Sequence, residues 1–429
     1  MEYYITDYTQ KYHSIMVFDK NKNVFVHRWY PFVEGYSKEF IESILSEQPQ
    51  KPRCVLEPFC GSGTTPVEMQ NYDIQCYSFD VSPFMHLLAQ VKMERAYDEE
   101  LFMRYVGRLS KKLSRSTSNI RDIEPLPFGD TIVNTGIKKK WNFHDNAIDG
   151  ILEIRNAIRT SVEEEHYRKL FEIALASIIM KSSNMFRNGK CLSYKKGWGT
   201  RILTKKDIHG FFLDRLNSVF AEDIRIISKQ TPLVKNSEIC YLGDVRERID
   251  LVPDSKVDLI ITSPPYLNSR DYTDIYMLEL KVLQLVNSHE DLRKLRGSTI
   301  RSHVQVKYAD IKPIENDRLR DCLTQMTNSQ TETWNSDIFN MICGYFDDMQ
   351  NLFEKFYKKV RTGGTIYFNV ANSAYFGVEI PVDYIIADIA TEAGFTVREI
   401  RKARDLKPSP QQSKKISKLR ESVIVIDKN

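Results

Sequence analysis

The 429-residue sequence is poor in cysteine and has no long hydrophobic run. Its seven cysteines include no CxxC pair, so the sequence indicates neither a disulfide framework nor a zinc site. Apolar stretches such as EIALASII are far shorter than the roughly 20 residues that a membrane span needs. No signal-peptide-like segment stands at the N-terminus, and unpaired cysteines are typical of reduced thiols. We therefore expect a cytoplasmic protein with neither a metal centre nor a membrane segment.

Charge is distributed unevenly along the chain. The net charge of +4 is too small to indicate binding to nucleic acid by itself. Residues 98–236, however, contain 25 Lys and Arg against 17 Asp and Glu. A second basic stretch, 401–420, has eight basic residues and one acidic residue. Each excess fits either a solvated face or a surface that meets an acidic partner.

Apolar strands alternate with helices in the first part of the chain. CVLEPF begins at Cys54 and QCYSFD ends at Asp80, and helical patterns follow both, the second opened by Ser82 and Pro83. This alternation predicts a parallel sheet covered by helices on both faces. It breaks over 98–236, where helical spacing predominates, and resumes with EICYLGD and VDLIITSPPY.

We therefore predict an α/β protein with a doubly wound, mostly parallel sheet and a large, mainly helical insertion. The first half of the sheet domain and an N-terminal segment occupy 1–97, the insertion 98–236, and the second half 237–429. Within the second half, residues 287–340 are polar with little periodicity, and we expect a long loop there.

Four predicted strand ends carry conspicuous residues. They read EPFCGSGT, FDVSP, GDVRE and TSPPY, and ligands of open parallel sheets bind at such carboxyl ends. The first is not a phosphate loop, because no Lys follows the glycines, and it lacks the third glycine of a dinucleotide fingerprint. Gly61 and Gly63 would instead let the backbone approach a ligand closely.

Two aspartates complete an adenosine-shaped ligand site. Asp80 could accept both hydroxyls of a ribose, and Asp244 could accept from the exocyclic amine of an adenine ring. The alternative is that both aspartates only cap the helices that follow them.

The fourth strand end, TSPPY, suits a different ligand. Pro264 and Pro265 donate no backbone N–H and fix a stiff corner whose carbonyl oxygens remain as acceptors. Ser263 adds a hydroxyl and Tyr266 a flat ring, so the corner fits a planar base that bears an amino group. The alternative is an ordinary Pro-Pro turn with a surface tyrosine.

EPFCGSGT together with TSPPY resembles the motifs of the S-adenosylmethionine-dependent amino-methyltransferases of DNA. The serine form TSPPY is typical of the members that methylate the N4 amine of cytosine in restriction-modification systems. The match assigns Glu57, Phe59, Gly61 and Gly63 to the cofactor loop, Asp80 to the ribose, Asp244 to the adenine, and Ser263, Pro264, Pro265 and Tyr266 to catalysis. The resemblance implies a Rossmann-like methyltransferase fold, S-adenosylmethionine as cofactor, double-stranded DNA as partner, and a cognate restriction endonuclease that acts on the same site.

The resemblance covers residues 27–93 and 239–427 and leaves the insertion unexplained. The basic surplus of the insertion favours it as the region that reads the DNA sequence, and residues 287–340 are the competing candidate. Methylation at cytosine C5 needs a Pro-Cys pair, and no cysteine here follows a proline. N6-adenine methylation, RNA amino-methylation and a non-catalytic DNA-binding role stay open as alternatives.

Overall fold

The first part of the chain forms strands and helices in the predicted alternation. The computed structural model describes residues 2–115, 119–188, 191–231, 233–268, 270–308, 311, 315–329, 336–409 and 415–429. Its first elements are β1 (Ile5–Asp7), α1 (Thr9–Tyr12), α2 (Lys38–Ser46), β2 (Cys54–Glu57), α3 (Thr64–Asn71), β3 (Gln75–Asp80) and α4 (Pro83–Met93), with 3₁₀ turns at Phe18–Asn23 and His27–Trp29. Helix α4 begins as predicted, because the Ser82 side chain accepts from the Met85 N–H and Pro83 needs no partner at the first position.

The insertion is mainly helical, as predicted, and adds one hairpin. Its elements are α5 (Glu99–Leu113), α6 (Ile120–Ile123), α7 (Gly129–Ile132), α8 (Asp145–Ser161), α9 (Glu165–Ser182), β4 (Met185–Arg187), β5 (Leu192–Tyr194), a 3₁₀ turn (Trp198–Thr200), α10 (Lys205–Arg215), a π-helical turn (Leu216–Phe220) and α11 (Ala221–Ile227). These helices share one hydrophobic core with α4. Trp29 of the N-terminal segment stacks on Phe220 within that core, with ring centroids 5.1 Å apart, so the insertion packs on the N-terminal segment as well as on α4.

The second half of the sheet domain contains the remaining elements. These are β6 (Cys240–Leu242), α12 (Val245–Arg248), β7 (Val257–Thr262), α13 (Tyr272–Ile275), α14 (Met277–Val282), α15 (His289–Gly297), α16 (Asp317–Asn328), α17 (Ser336–Lys359), β8 (Val360–Ala371), β9 (Ser373–Tyr375), β10 (Val378–Ile380), α18 (Val382–Glu392), β11 (Thr396–Leu406) and β12 (Leu419–Asp427), with 3₁₀ turns at Asn236–Ile239 and Ile249–Leu251. Across the ranges described, no helix is long and apolar enough to cross a membrane.

The expected polar loop at 287–340 is wrong in part, because α15 and α16 lie within it. Helix α15 begins at a capping box formed by Ser288 and Asp291, and Asn316 caps α16 by accepting from the Leu319 N–H. Each helix buries only two or three side chains, so its apolar stripe is too narrow to stand out from the polar residues around it.

Eight strands form the central sheet in the order β1, β11, β12, β8, β7, β2, β3, β6. Strand β12 is antiparallel to both neighbours and every other pair is parallel, which confirms the mostly parallel sheet. From β2 the chain continues to β3 on one side, while β7 lies on the other, with Leu56 paired to both Tyr77 and Ile260. The carboxyl ends of β2 and β7 therefore flank a topological switch point, where such sheets bind ligands.

Candidate active site

One cavity at this switch point brings together nine of the ten predicted site residues. It has a volume of about 400 Å³, within the range of small-molecule and cofactor sites. The predicted residues that line it are Glu57, Phe59, Gly61, Asp80, Asp244, Ser263, Pro264, Pro265 and Tyr266. Gly63 is the exception. A Cβ at this position would lie 2.9 Å from Ala89 of α4, so the glycine serves the packing of α3 on α4.

Gly61 lies beneath an aromatic cover. Its φ is +49°, and a Cβ there would come within 3.2 Å of the Phe32 ring. Phe32 in turn stacks on Tyr276, with nearly parallel planes and centroids 5.8 Å apart, and both rings line the cavity. Glycine at this position therefore allows the N-terminal segment to close over the loop between β2 and α3.

Asp80 reaches the cavity with much of its hydrogen-bonding capacity unused. Its two carboxylate oxygens accept the backbone N–H groups of Gly61 and Ser82, each at 2.8 Å. No cation in the described part of the chain forms an ion pair with it. Burial raises the pKa of Asp80 to about 7. Further donors from a bound ligand, such as two ribose hydroxyls, would compensate for that burial.

Glu57 differs from Asp80, because three hydroxyl groups already surround it. Tyr36 and Thr262 donate to its carboxylate at 2.5 Å each, and Thr65 donates at 2.9 Å. Burial raises the pKa of Glu57 to about 7. Glu57 thus joins the ends of β2 and β7 to the N-terminal segment and fixes the floor of the cavity.

Asp244 is both a helix cap and part of the cavity wall. Its side chain accepts from the Arg246 N–H at the start of α12, and the Arg246 guanidinium binds it through two nitrogens at 2.6–3.0 Å. Asp244 therefore caps α12, as the alternative interpretation of the sequence held, and it also lines the cavity. Among the residues described, no group of three or more His, Cys, Asp or Glu side chains is arranged to hold a metal ion.

The corner formed by residues 263–266 is held by a hydrogen-bond network that the sequence did not predict. The Tyr266 hydroxyl donates to Glu421 at 2.6 Å and accepts from the Asn369 amide at 2.6 Å and from the Ser263 hydroxyl at 3.3 Å. Arg404 binds the other oxygen of Glu421. All five of these residues line the cavity. Ser263 is therefore joined through Tyr266 to a buried, paired carboxylate.

Tyr266 acts as a neutral donor in this network. Burial, together with the charge of Glu421, raises its pKa well above the ordinary value of 10.0. The phenol therefore keeps its proton at neutral pH, and its ring is held at the mouth of the corner by its own hydroxyl.

Three polar residues of this network leave a signal in the sequence. Asn369 interrupts the apolar run TIYFNVAN of β8, and Glu421 stands at the start of the apolar run of β12. A polar side chain in a buried strand needs a partner, and such residues gather at functional sites. Arg404 in β11 faces Glu421 in the register of the sheet.

The fold and the cavity define a class of α/β protein, one with a mostly parallel sheet and a cavity at the switch point of that sheet. Comparison with known proteins gives relatives of one kind. The chain is 25% identical to the type II methyltransferase M.BsoBI of Geobacillus stearothermophilus, over 99% of this chain and 90% of that protein. It is 25% identical to M.AvaI of a Nostoc species, over 90% and 82%, and 22% identical to M.MvaI of Kocuria varians, over 86% and 82%.

No family model matches the chain, and no solved structure gives a significant match. The resemblance to methyltransferases of restriction-modification type, drawn above from short motifs, is nevertheless confirmed over most of the chain.

Proposed function

We propose that this protein is an S-adenosylmethionine-dependent DNA methyltransferase of a restriction-modification system, and that it methylates the N4 amine of cytosine in double-stranded DNA. One observation carries the proposal: Ser263 lines the same cavity as Gly61 and Asp80. A single cavity thereby offers acceptors for an amine beside groups suited to an adenosine. Curated relatives that are type II methyltransferases support the DNA substrate and a cognate endonuclease as a second partner.

The residues at the cofactor end fit S-adenosylmethionine. Asp80 would accept the ribose hydroxyls, Asp244 would face the adenine amine, and the backbone at Gly61 leaves room for close approach. The stacked rings of Phe32 and Tyr276 would cover the ligand on the side of the N-terminal segment. When bound there, the cofactor supplies a methyl group on a positively charged sulfur.

The corner at Ser263 addresses the weak nucleophilicity of an exocyclic amine. The lone pair of such an amine is delocalised into the ring, so the enzyme must return it to nitrogen. Acceptance of the two amine hydrogens by Ser263 Oγ and the Pro264 carbonyl would favour a pyramidal nitrogen with its lone pair directed at the methyl group. Holding the amine in line with the methyl group contributes as much as about 7–11 kcal/mol in favourable cases.

The hydrogen-bond network behind Ser263 would strengthen this effect. Ser263 donates to Tyr266, which donates to Glu421, and each donation makes the donating oxygen a better acceptor. Glu421 is also the carboxylate to which the proton released from the amine would be relayed through the two hydroxyls. In duplex DNA the amine is hidden, so the base would be flipped out and stacked against Tyr266.

The same acceptors would serve N6 methylation of adenine. Ser263 favours cytosine, because the common adenine form of the motif has an aspartate at this position. An RNA amino-methyltransferase or a non-catalytic DNA-binding protein of the same fold are the remaining candidates, and a complete cavity favours catalysis over the latter.

Nucleoside analysis tests the proposal directly. The protein is incubated with unmethylated genomic DNA, or with total RNA, and S-adenosylmethionine, and the nucleic acid is then digested and separated by chromatography with mass detection. We expect N4-methyl-2′-deoxycytidine, which is separated from the isomer 5-methyl-2′-deoxycytidine by its retention time. N6-methyladenine, methylated RNA or no product would each overturn the proposed target.

A further inference from the structure

Two stretches of the insertion contain no acidic residue. Between Asp130 and Asp145 the only charged side chains are Lys138, Lys139 and Lys140. Between Glu172 and Asp207 there are eight basic residues and no acidic residue. In a chain with nearly balanced charge, such stretches create local positive potential wherever the fold brings them together.

The fold joins these two stretches into one surface. The Asn184 N–H donates to the Asn142 carbonyl at 2.7 Å, and His144 Nε2 contacts the Trp198 carbonyl at 2.8 Å. The rings of Trp141 and Trp198 meet edge to face at 4.9 Å. We call residues 137–144 and 191–202 the hairpin surface, since the second range includes β5 of the β4–β5 hairpin.

Five of the six cations of the hairpin surface are exposed, and the sixth, Lys195, is half-buried and donates to backbone carbonyls. Lys138, Lys139, Lys140, Lys196 and Arg201 are all exposed, and within the described ranges none of them forms an ion pair with a carboxylate. A cation without a nearby carboxylate is available to a phosphate.

The second basic stretch of the sequence is arranged differently. In 401–420, Arg401 pairs with Glu47 at 2.7 Å and Arg420 pairs with Asp383 at 2.7 Å. Lys402 and Lys418 both pair with Asp405. With Arg404 bound to Glu421, these contacts pair five of the eight cations of that stretch, so the hairpin surface is the better site for a polyanion.

The hairpin surface is linked to the wall of the cavity through Arg187 of β4, which pairs with Leu192 of the hairpin surface. Arg187 of β4 donates to the Tyr30 hydroxyl at 2.6 Å and to Glu279 at 2.7 Å, and its guanidinium lies 4.9 Å from the Tyr276 ring centroid. Tyr276 lines the cavity. A duplex bound to the hairpin surface would thus lie next to the site of methylation.

Exposed apolar side chains flank the cations. Ile137 is 68% exposed and Ile202 is 69% exposed. Cations beside apolar groups suit a DNA groove, where phosphates border thymine methyl groups.

We propose that the hairpin surface binds the phosphates of duplex DNA next to the cavity, an inference that rests on the proposed DNA methyltransferase function. The triple variant Lys138→Ala, Lys139→Ala, Lys140→Ala tests it. Its matched control is Lys229→Ala, Lys235→Ala, Lys358→Ala, which removes the same charge from exposed lysines outside the hairpin surface. Affinity for sheared genomic DNA is titrated against salt for both variants and for the wild type.

For the hairpin variant we expect the slope of log affinity against log salt to decrease by roughly 2 to 3 and the affinity at physiological salt to fall about 10- to 100-fold. Affinity for S-adenosylmethionine should be unchanged, which shows that the variant is folded. The double variant Lys196→Ala, Arg201→Ala, from the other stretch, should decrease the slope as well. The control triple variant should behave as the wild type.

A wild-type slope in both hairpin variants would overturn the inference, even if the protein methylates DNA. Equal losses in the hairpin and control variants would also overturn it, because net charge would then explain the effect. A wild-type protein that binds DNA through this surface but methylates none would refute the proposed function and leave the surface standing.

Discussion

Each end of the cavity presents a carboxylate, half-buried Asp80 at one end and buried Glu421 at the other, and the protein pairs the two differently. Asp80 receives only two backbone N–H groups from the protein, and burial raises its pKa to about 7. Glu421 receives a tyrosine hydroxyl and the Arg404 guanidinium. The difference lies in whether the protein itself compensates the buried charge.

The contrast separates binding from positioning. A carboxylate that must accept a ligand reversibly cannot be saturated by the protein, so part of its burial cost remains until the ligand arrives. A carboxylate that orients other side chains is best paired permanently, because a fixed charge holds the hydroxyls of Tyr266 and Ser263 in one arrangement. Substitutions at the two ends should therefore affect different steps.

The largest effect is expected at Tyr266. We expect Tyr266→Ala to lower kcat by about 10²–10³-fold, because both the ring and the link between Ser263 and Glu421 are lost. Affinity for S-adenosylmethionine, measured by calorimetry, should change little. Tyr266→Phe keeps the ring and should lose about 10-fold or more in kcat; wild-type turnover in this variant would show that the hydroxyl network is unimportant.

Glu421→Gln tests the paired carboxylate while preserving its shape. We expect kcat to decrease by about 10–100-fold with little change in cofactor affinity, since only the charge behind Tyr266 is removed. Steady-state methylation of DNA at saturating cofactor measures it. Glu392→Gln, an exposed residue at the end of α18, is the control. A loss in cofactor affinity rather than turnover would contradict the division between the two ends.

At the opposite end, Asp80→Ala should act on binding. We expect the Kd for S-adenosylmethionine to rise by about 10–100-fold, from the loss of roughly 1.5–3 kcal/mol of charged hydrogen bonding to the ribose. The kcat at saturating cofactor should stay near that of the wild type. The exposed Asp321 provides an Asp321→Ala control. Unchanged affinity would remove Asp80 from the cofactor site.

The smallest effect concerns stability. Because the pKa of Asp80 rises from 3.8 to about 7 on folding, the folded protein binds this proton more tightly than the unfolded chain. Its contribution to stability therefore falls as pH rises from about 4 to 7. The Asp80→Asn variant should not lose stability in this way as pH rises. Without cofactor, its free energy of unfolding at pH 8 should therefore exceed that of the wild type by roughly 1–3 kcal/mol. Urea denaturation of both proteins at pH 5 and pH 8 measures it; an equal pH dependence in the two would refute the assignment.

Strand-end motifs predicted much of the fold and of the cavity. Glu57, Asp80 and Ser263 each follow a short apolar run directly, and the carboxyl ends of parallel strands meet by topology alone. The local sequence at each strand end was therefore enough to predict that these three residues lie together. Gly63 was assigned to the ligand on the same basis, but its contact with Ala89 depends on how α4 packs, which no local pattern encodes.

The network behind Ser263 was not predictable in this way. Glu421 reaches Tyr266 only because β12 runs antiparallel between β8 and β11, which pairs Val423 with Asn369 and Glu421 with Arg404. That register joins segments that are far apart in sequence. The β4–β5 hairpin was missed for another reason, since strands of three residues give almost no alternation to detect.

The stacking of Trp29 on Phe220 has a consequence for engineering new sequence specificity. Because the insertion and α4 share one core, residues 98–236 cannot be exchanged between relatives as an independent domain. A chimera would need to retain Phe220, which stacks on Trp29, together with the core positions that pack with α4. The hairpin belongs to the same unit, because Met185 is buried in that core and Leu192 and Tyr194 pack against it. Only its exposed positions and those of the hairpin surface can be replaced with the core left intact.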